Sequence, residues 1–171
     1  MKPLIRPFED LVPRIHEEAF LAENVCIIGD VEIHRRANIW YNCVLRGDVN
    51  KISIGELSNI QDGTIIHVNG DPSHPTVVED RVTIGHSVTL HGCTIKTHAL
   101  VGIGATVLNG AVVEEGALVA AGSLVREGQV VPAGHLVAGV PAKVIRPLTE
   151  QEQNMLKRQP DHYWDDIASK Y

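Results

Sequence analysis

From Ile27 onward the chain repeats itself every six residues, a period that few folds accommodate. Branched aliphatic residues fall at Ile27, Ile33, Ile39 and Leu45, resume at Ile54, Ile60 and Ile66, and return at Val78, Ile84 and Leu90. One residue is then skipped, and Ile95 leads through Val101, Val107, Val113, Val119, Val125 and Val131 to Val137. Four places after these stand smaller residues: Val31, Ala37, Cys43 and Val49, then Ser58 and Thr64, then Ala99, Ala105, Ala111, Ala117 and Ser123. The period matches neither an α-helix, at about 3.6 residues per turn, nor a plain amphipathic strand, at about 2. It fits a triangular prism in which each hexapeptide supplies one short strand and one corner, with coils stacked about 4.8 Å apart. The branched residue and its small partner differ by an even number, so both point inward. Gly55, Gly85, Gly102, Gly104, Gly110, Gly116 and Gly122 fall at or near corners, where a positive φ is inexpensive for glycine. Aromatic residues make up only 4% of the chain, so aliphatic stacks rather than large rings must fill the interior.

Two interruptions mark the repeat. Residues 68–77 break it and read as a looped-out insertion, and Lys51-Ile52-Ser53 reads as a bulge. Beyond the coils, Thr149 and Glu152 form a capping box that starts a helix. Met155 and Leu156 supply its apolar side, Pro160 ends or kinks it, and a further helical turn runs through Tyr163, Trp164 and Ile167. The expected organisation is an all-β parallel β-helix domain over residues 1–147, followed by a C-terminal α-helical segment over 148–171 that packs back and covers one face.

With 171 residues the chain is sized for one domain. Its 15 Lys+Arg against 21 Asp+Glu form no basic block, which argues against nucleic acid as a partner. No apolar run has the length of a membrane span. The start, Met1-Lys2-Pro3-Leu4-Ile5-Arg6-Pro7, lacks the apolar stretch of a secretory signal. Cys26, Cys43 and Cys93 show no CxxC spacing and read as small core hydrophobes in a reducing, cytoplasmic setting.

Phase singles out three of the nine histidines. His67 follows Ile66 and His91 follows Leu90, so both hold the outward slot after an inward residue on the same prism face. Their imidazoles then stack on adjacent coils, within reach of one metal ion. His86, two places after Ile84, belongs to the preceding face and reaches that metal only from another subunit of a three-fold oligomer. Three histidines with one open position is the ligand set of a catalytic zinc site. Arg46, after Leu45, shares the face of His67 and His91, while Gln61 and Asp62 follow Ile60 on the face of His86. Arg46 and Asp48 of one subunit are therefore expected to approach Asp62 of the next, with Gln61 aimed at the open position.

The strings Leu45-Arg46-Gly47-Asp48, Asn59-Ile60-Gln61-Asp62-Gly63, Ile66-His67-Val68 and Ile84-Gly85-His86 through Leu90-His91-Gly92-Cys93 resemble the gamma-class carbonic anhydrase family, in its short bacterial branch. The resemblance spans nearly the whole chain and implies that the coils wind left-handed. It implies a homotrimer, a zinc ion (iron(II) or cobalt(II) being the other candidates) held by His67, His86 and His91, and reversible hydration of CO2 to bicarbonate. Arg46, Asp48, Gln61 and Asp62 match the family's other site residues. Tyr163 resembles a C-terminal tyrosine near the family's site, where His162 stands in place of a frequent asparagine. Two departures bear on proton transfer: Val49 replaces a shuttle glutamate, and the loop Val68–Thr76 is short, leaving Asp71 or His74 as relays. Two other readings stay open: a metal-binding trimer with little hydratase activity, thioesterase-like or structural, and a coenzyme A-dependent acyltransferase that shares the coils and the Gly139-Val140-Pro141-Ala142-Lys143 tail.

Overall fold

The computed structural model describes residues 2–171. The chain winds into a parallel β-helix, left-handed as the resemblance implied, whose three faces are ladders of short strands. The first face stacks Ile27, Leu45, Ile66, Leu90, Val107 and Val125. The second stacks Ile15, Ile33, Ile54, Val78, Ile95, Val113 and Val131. The third stacks Leu21, Ile39, Ile60, Ile84, Val101, Val119 and Val137. Every branched residue of the repeat is at most 1% exposed, so the core is a continuous aliphatic column. Corners follow the same phase. Asn42, Leu57, Arg81, Ser87 and His98, like Gly104 through Gly134, take positive φ three places before an inward residue. Gly85 and Gly102 have another reason to be glycine: a Cβ would lie 2.8 Å from the Ile103 nitrogen and 2.6 Å from the Ala121 nitrogen, respectively.

Two expectations fail at one place. Val49 is 55% exposed rather than inward, and Lys51-Ile52-Ser53 is not the bulge. The ladder pairs Gly29 with Gly47 and Val31 with Ile52, so four residues, 48–51, face the single residue Asp30. The three extra residues bulge outward at 48–51, and Ile52 takes the buried slot that the simple count assigned to Val49. The 68–77 insertion is narrower than its sequence span, because Val68 and Thr76 are buried and Thr76–Val78 rejoins the ladder.

The tail begins with Lys143–Pro147 pairing antiparallel to His135–Ala138. A helix then runs over Glu150–His162 and continues through a wider turn at Tyr163–Ile167. Its capping box is complete: Thr149 Oγ1 accepts from the Glu152 amide, and Glu152 accepts from the Thr149 amide. Pro160 lies inside the helix without ending it. Leu156 is buried but Met155 is 44% exposed, so Met155 does not belong to the packed side. The tail is held on the third face by Arg81 pairing with Asp161, by Gln61 bonding Tyr163, and by an aromatic cluster. In that cluster Trp40 stands 5.1 Å from Phe20, 5.7 Å from Tyr171 and 6.5 Å from Tyr163, ring centre to ring centre.

Arg146 and the Thr149 amide hold the Glu152 carboxyl down to about 2 from its ordinary 4.5. A depressed carboxyl stabilises the folded state above its unfolded value and loses that contribution as pH falls through the folded one. Wild-type helical circular dichroism should therefore hold at pH 4, while Glu152→Gln, which lacks the carboxylate at every pH, should show less helix throughout. Equal helix content in the two proteins across that range would contradict the cap's role.

Candidate metal centre

His67 and His91 are direct partners across the first-face ladder. Their ring centres are 5.0 Å apart, and His67 Nδ1 faces His91 Nε2 at 3.1 Å. The remaining nitrogens are taken by oxygen acceptors. His67 Nε2 donates to Asp48 Oδ1 at 3.0 Å, and His91 Nδ1 donates to Asn109 Oδ1 at 2.6 Å. Asn109 is fixed in that sense because its Nδ2 donates to Glu127 Oε1 at 2.9 Å. In neutral imidazole one nitrogen donates and the other accepts, so the two nitrogens that converge both carry lone pairs. Two lone pairs that converge in this way suit a cation between them. Zinc–nitrogen bonds of about 2.0–2.1 Å at a tetrahedral angle put ligand nitrogens about 3.3 Å apart, close to the observed separation. The donor set fits a divalent metal.

The bulge delivers the acceptor. Residues 48–51 swing Asp48 over His67, and Arg46 grips the same carboxylate from the start of the strand. Burial pushes the Asp48 carboxyl upward, but the hydrogen bonds from His67 and Arg46 outweigh it and hold the group below its ordinary value. Asp48 is thus ionised as an acceptor for the imidazole. The backbones of the two histidines are tied by Thr76, whose buried hydroxyl donates to the His67 carbonyl at 2.6 Å and accepts from the Gly92 amide at 2.8 Å. Thr76→Val removes this pin and leaves the Gly92 amide only its longer, 3.3 Å bond to the His67 carbonyl, a cost of about 0.5–1.5 kcal/mol. Chemical denaturation should show that loss; an unchanged midpoint would show that the ladder alone sets the register.

His86 stands apart on the third-face side, exposed, with Nδ1 2.9 Å from Asp62 Oδ2. A proton on the nitrogen beside that carboxylate leaves Nε2 as the free one, as Nε2 is in His91 and Nδ1 is in His67. Gln61 is buried and donates through Nε2 to the Tyr163 hydroxyl at 2.7 Å, leaving its own carbonyl oxygen uncommitted. Burial, then the nearby Asp62, pushes the Tyr163 hydroxyl up, against a smaller lowering by Gln61. Within one chain the residues thus form two groups: Arg46, Asp48, His67 and His91 on the first face, and Gln61, Asp62, His86 and Tyr163 at the third. Among the described residues no three His, Cys, Asp or Glu side chains gather within one chain as a metal-binding group. Of the loop residues considered as relays, Asp71 accepts from Ser73, and His74 lies against Gly110. Sequence reasoning did not single out Asn109 or Thr76. The phase of Asn109, one coil beyond His91, was available to find it.

No family model matches the chain. It is 44% identical over 155 residues to a Geobacillus kaustophilus protein named carbonic anhydrase, covering 91% of this chain and 84% of that one. The chain belongs to the gamma-class carbonic anhydrase family. It is also 46% identical over 158 residues to gamma carbonic anhydrase 1 of Arabidopsis thaliana, a mitochondrial protein. That match covers 90% of this chain but only 58% of the plant protein, so the chain spans little more than half of the plant relatives' length. A crystal structure from Bacillus cereus, described as that of a candidate acetyltransferase, superposes with a TM-score of 0.96 at 40% identity, covering 99% and 98% of the two chains. Among the described residues no helix is long and apolar enough to cross a membrane.

Proposed function

We propose that three copies of this chain assemble so that His67 and His91 of one subunit and His86 of its neighbour hold one divalent metal, zinc in the first instance. At that site the gamma-class family member interconverts CO2 and bicarbonate. The observation that carries this reading is the shared setting of the three histidines: each has one ring nitrogen within 3.0 Å of an oxygen acceptor, which favours the proton there and a lone pair on the other nitrogen. Two share a face and the third lies on another, so only a second copy supplies the third ligand. A metal bound there supplies Lewis-acid chemistry that makes a water nucleophilic near neutral pH, with iron(II) and cobalt(II) as alternative ions.

The chain's own residues do the rest. Gln61, anchored by Tyr163, offers an amide oxygen to orient a water or a bicarbonate hydroxyl beside the metal. Asp48 keeps His67 in the tautomer that binds metal and stabilises positive charge on the ring. Arg46 of one subunit reaches toward Asp62 of the next, locking the interface around His86. The three free cysteines are consistent with work in a reducing cytoplasm; burial pushes the Cys43 and Cys93 thiols up to about 12.

Stopped-flow CO2 hydration on protein loaded separately with zinc and iron tests the reading. Acceleration above buffer in at least one metal form is expected. None in any form, with metal still bound, would leave a metal-binding trimer without hydratase turnover. The description of the Bacillus cereus structure favours a second reading, acyl transfer from coenzyme A. Calorimetry with coenzyme A distinguishes it, since the carbonic anhydrase reading predicts no binding.

A further inference from the structure

We infer that Asn109, backed by Glu127, is the positioning residue that makes His91 a metal ligand, by forcing its proton onto Nδ1. The inference rests on the proposed metal centre but concerns a pair of residues outside it. Neither Asn109 nor Glu127 faces the converging nitrogens, and both lie on later coils of the first-face side: Asn109 one coil beyond His91, Glu127 one beyond Asn109.

A carboxamide beside an imidazole is ambiguous, because either end can meet the ring. If the amide nitrogen faced His91, Nδ1 would have to accept, Nε2 would carry the proton, and His91 would have no lone pair to offer. Glu127 removes the ambiguity. Its carboxylate only accepts, so it selects the Asn109 nitrogen at 2.9 Å and turns the oxygen toward His91 Nδ1 at 2.6 Å. The result is a chain of donors running from Asn109 to Glu127 and from His91 to Asn109, ending in a free Nε2 on the inner ring edge.

The backbone makes room for this arrangement. Gly92, at φ +57°, follows His91, and a Cβ there would stand 2.7 Å from Asn109 Oδ1. A side chain at 92 would push the carboxamide off the ring. Gly92 therefore serves both the left-handed corner and the seat of the amide. His67 is held by Asp48 through the opposite nitrogen. The two rings are thus oriented independently, one by a carboxylate on the bulge and one by an amide on the next coil. A change at 109 should affect His91 while leaving His67 as it was.

Two readouts test the proposal, one of which needs no metal. Nitrogen-15 chemical shifts of the imidazoles, recorded on the full-length apo protein above the titration range of histidine, report which nitrogen carries the proton. Wild type should show His91 with its proton on Nδ1. Asn109→Leu should shift His91 toward the Nε2–H form and leave His67 unchanged. Asn109→Asp, which can only accept, should keep the wild-type tautomer, and Glu127→Gln, at an exposed position that leaves the fold intact, should give a mixture. Zinc affinity by chelator competition should fall about 10–100-fold in Asn109→Leu and recover in Asn109→Asp. A wild-type tautomer in both Asn109→Leu and Glu127→Gln would overturn the proposal. If the wild type bound no zinc but the tautomers moved as described, the metal reading would fail and the positioning role would stand.

Discussion

His91→Ala is expected to reduce CO2 hydration to the buffer rate and to lower zinc affinity by more than about 100-fold, since even changes outside the ligand shell cost about 10–100-fold. The reason is the geometry of the pair. His67 Nδ1 faces His91 Nε2 at 3.1 Å, so removal of His91 leaves His67 with one lone pair and no partner on its own chain. His86, held by Asp62 on another face, cannot replace it. Thermal unfolding separates this effect from simple damage to the fold. Wild-type protein should gain about 2.7 kcal/mol of stability at zinc concentrations near 100 times the dissociation constant, by mass action alone. His91→Ala should gain little while unfolding cooperatively without zinc. Substantial retained activity, or an equal zinc-induced gain, would remove His91 from the site.

Gly29→Ala should be among the most damaging single-atom changes in the chain. Gly29 sits at φ +77°, and a Cβ built on it falls inside contact distance of the Gly47 carbonyl. Gly47 is equally confined, with a Cβ at 2.6 Å from the Asp30 carbonyl. The two glycines stack where the ladder pairs residue 29 with 47, immediately before the bulge that carries Asp48. A methyl at 29 adds about 1–2 kcal/mol of left-handed strain and about 1–3 kcal/mol of overpacking against backbone that has nowhere to go. A loss of about 2–5 kcal/mol in chemical denaturation is expected. Because the bulge moves with Gly47, the Asp48–His67 hydrogen bond should loosen, and zinc affinity should fall in protein that is still folded. A variant of wild-type stability would show that the two strands separate more easily than their register implies. A destabilised variant with unchanged zinc affinity would show instead that the bulge does not set His67.

The prism was legible because its period is unlike that of any other fold, and because each inward slot is filled by an aliphatic that ends up buried. The pairing of His67 with His91 was legible for the same reason. His67 and His91 occupy equivalent slots, and equivalent slots on one face become neighbours in the ladder. The irregularities were harder to place. From Leu45 to Ile66 the first face advances 21 residues, from Ile66 to Leu90 it advances 24, and from Leu90 to Val107 only 17, against 18 for three regular hexapeptides. The three departures begin just past Arg46, His67 and His91, the first of them after Gly47. The sequence reveals that residues are added there but not which of them leave the ladder, since Val49 and Ile52 are equally apolar. The choice is decided by Gly29 and Gly47, whose close stacking fixes the last paired position before the bulge. Asn109 escaped notice because it is ordinary corner chemistry until its hydrogen bonds are seen. Met155 was misplaced by about one helical step, because the helix packs through Leu156 and Pro160 while the tail is steered by Trp40 and Phe20.

Complementation between two inactive variants tests the shared site most directly. His86→Ala retains the His67/His91 pair, and His91→Ala retains His86, so each alone lacks a complete site in every copy. Mixed within one three-fold oligomer, an interface is intact whenever a His86→Ala chain supplies the pair and a His91→Ala neighbour supplies the third ligand. Random mixing makes about a quarter of the interfaces intact. Zinc content and CO2 hydration of co-refolded protein should therefore rise to about a quarter of the wild-type level, while each variant refolded alone stays at background. Mixed oligomers that form, as shown by tagged-subunit capture, yet bind no more zinc than either parent would contradict a site divided between subunits.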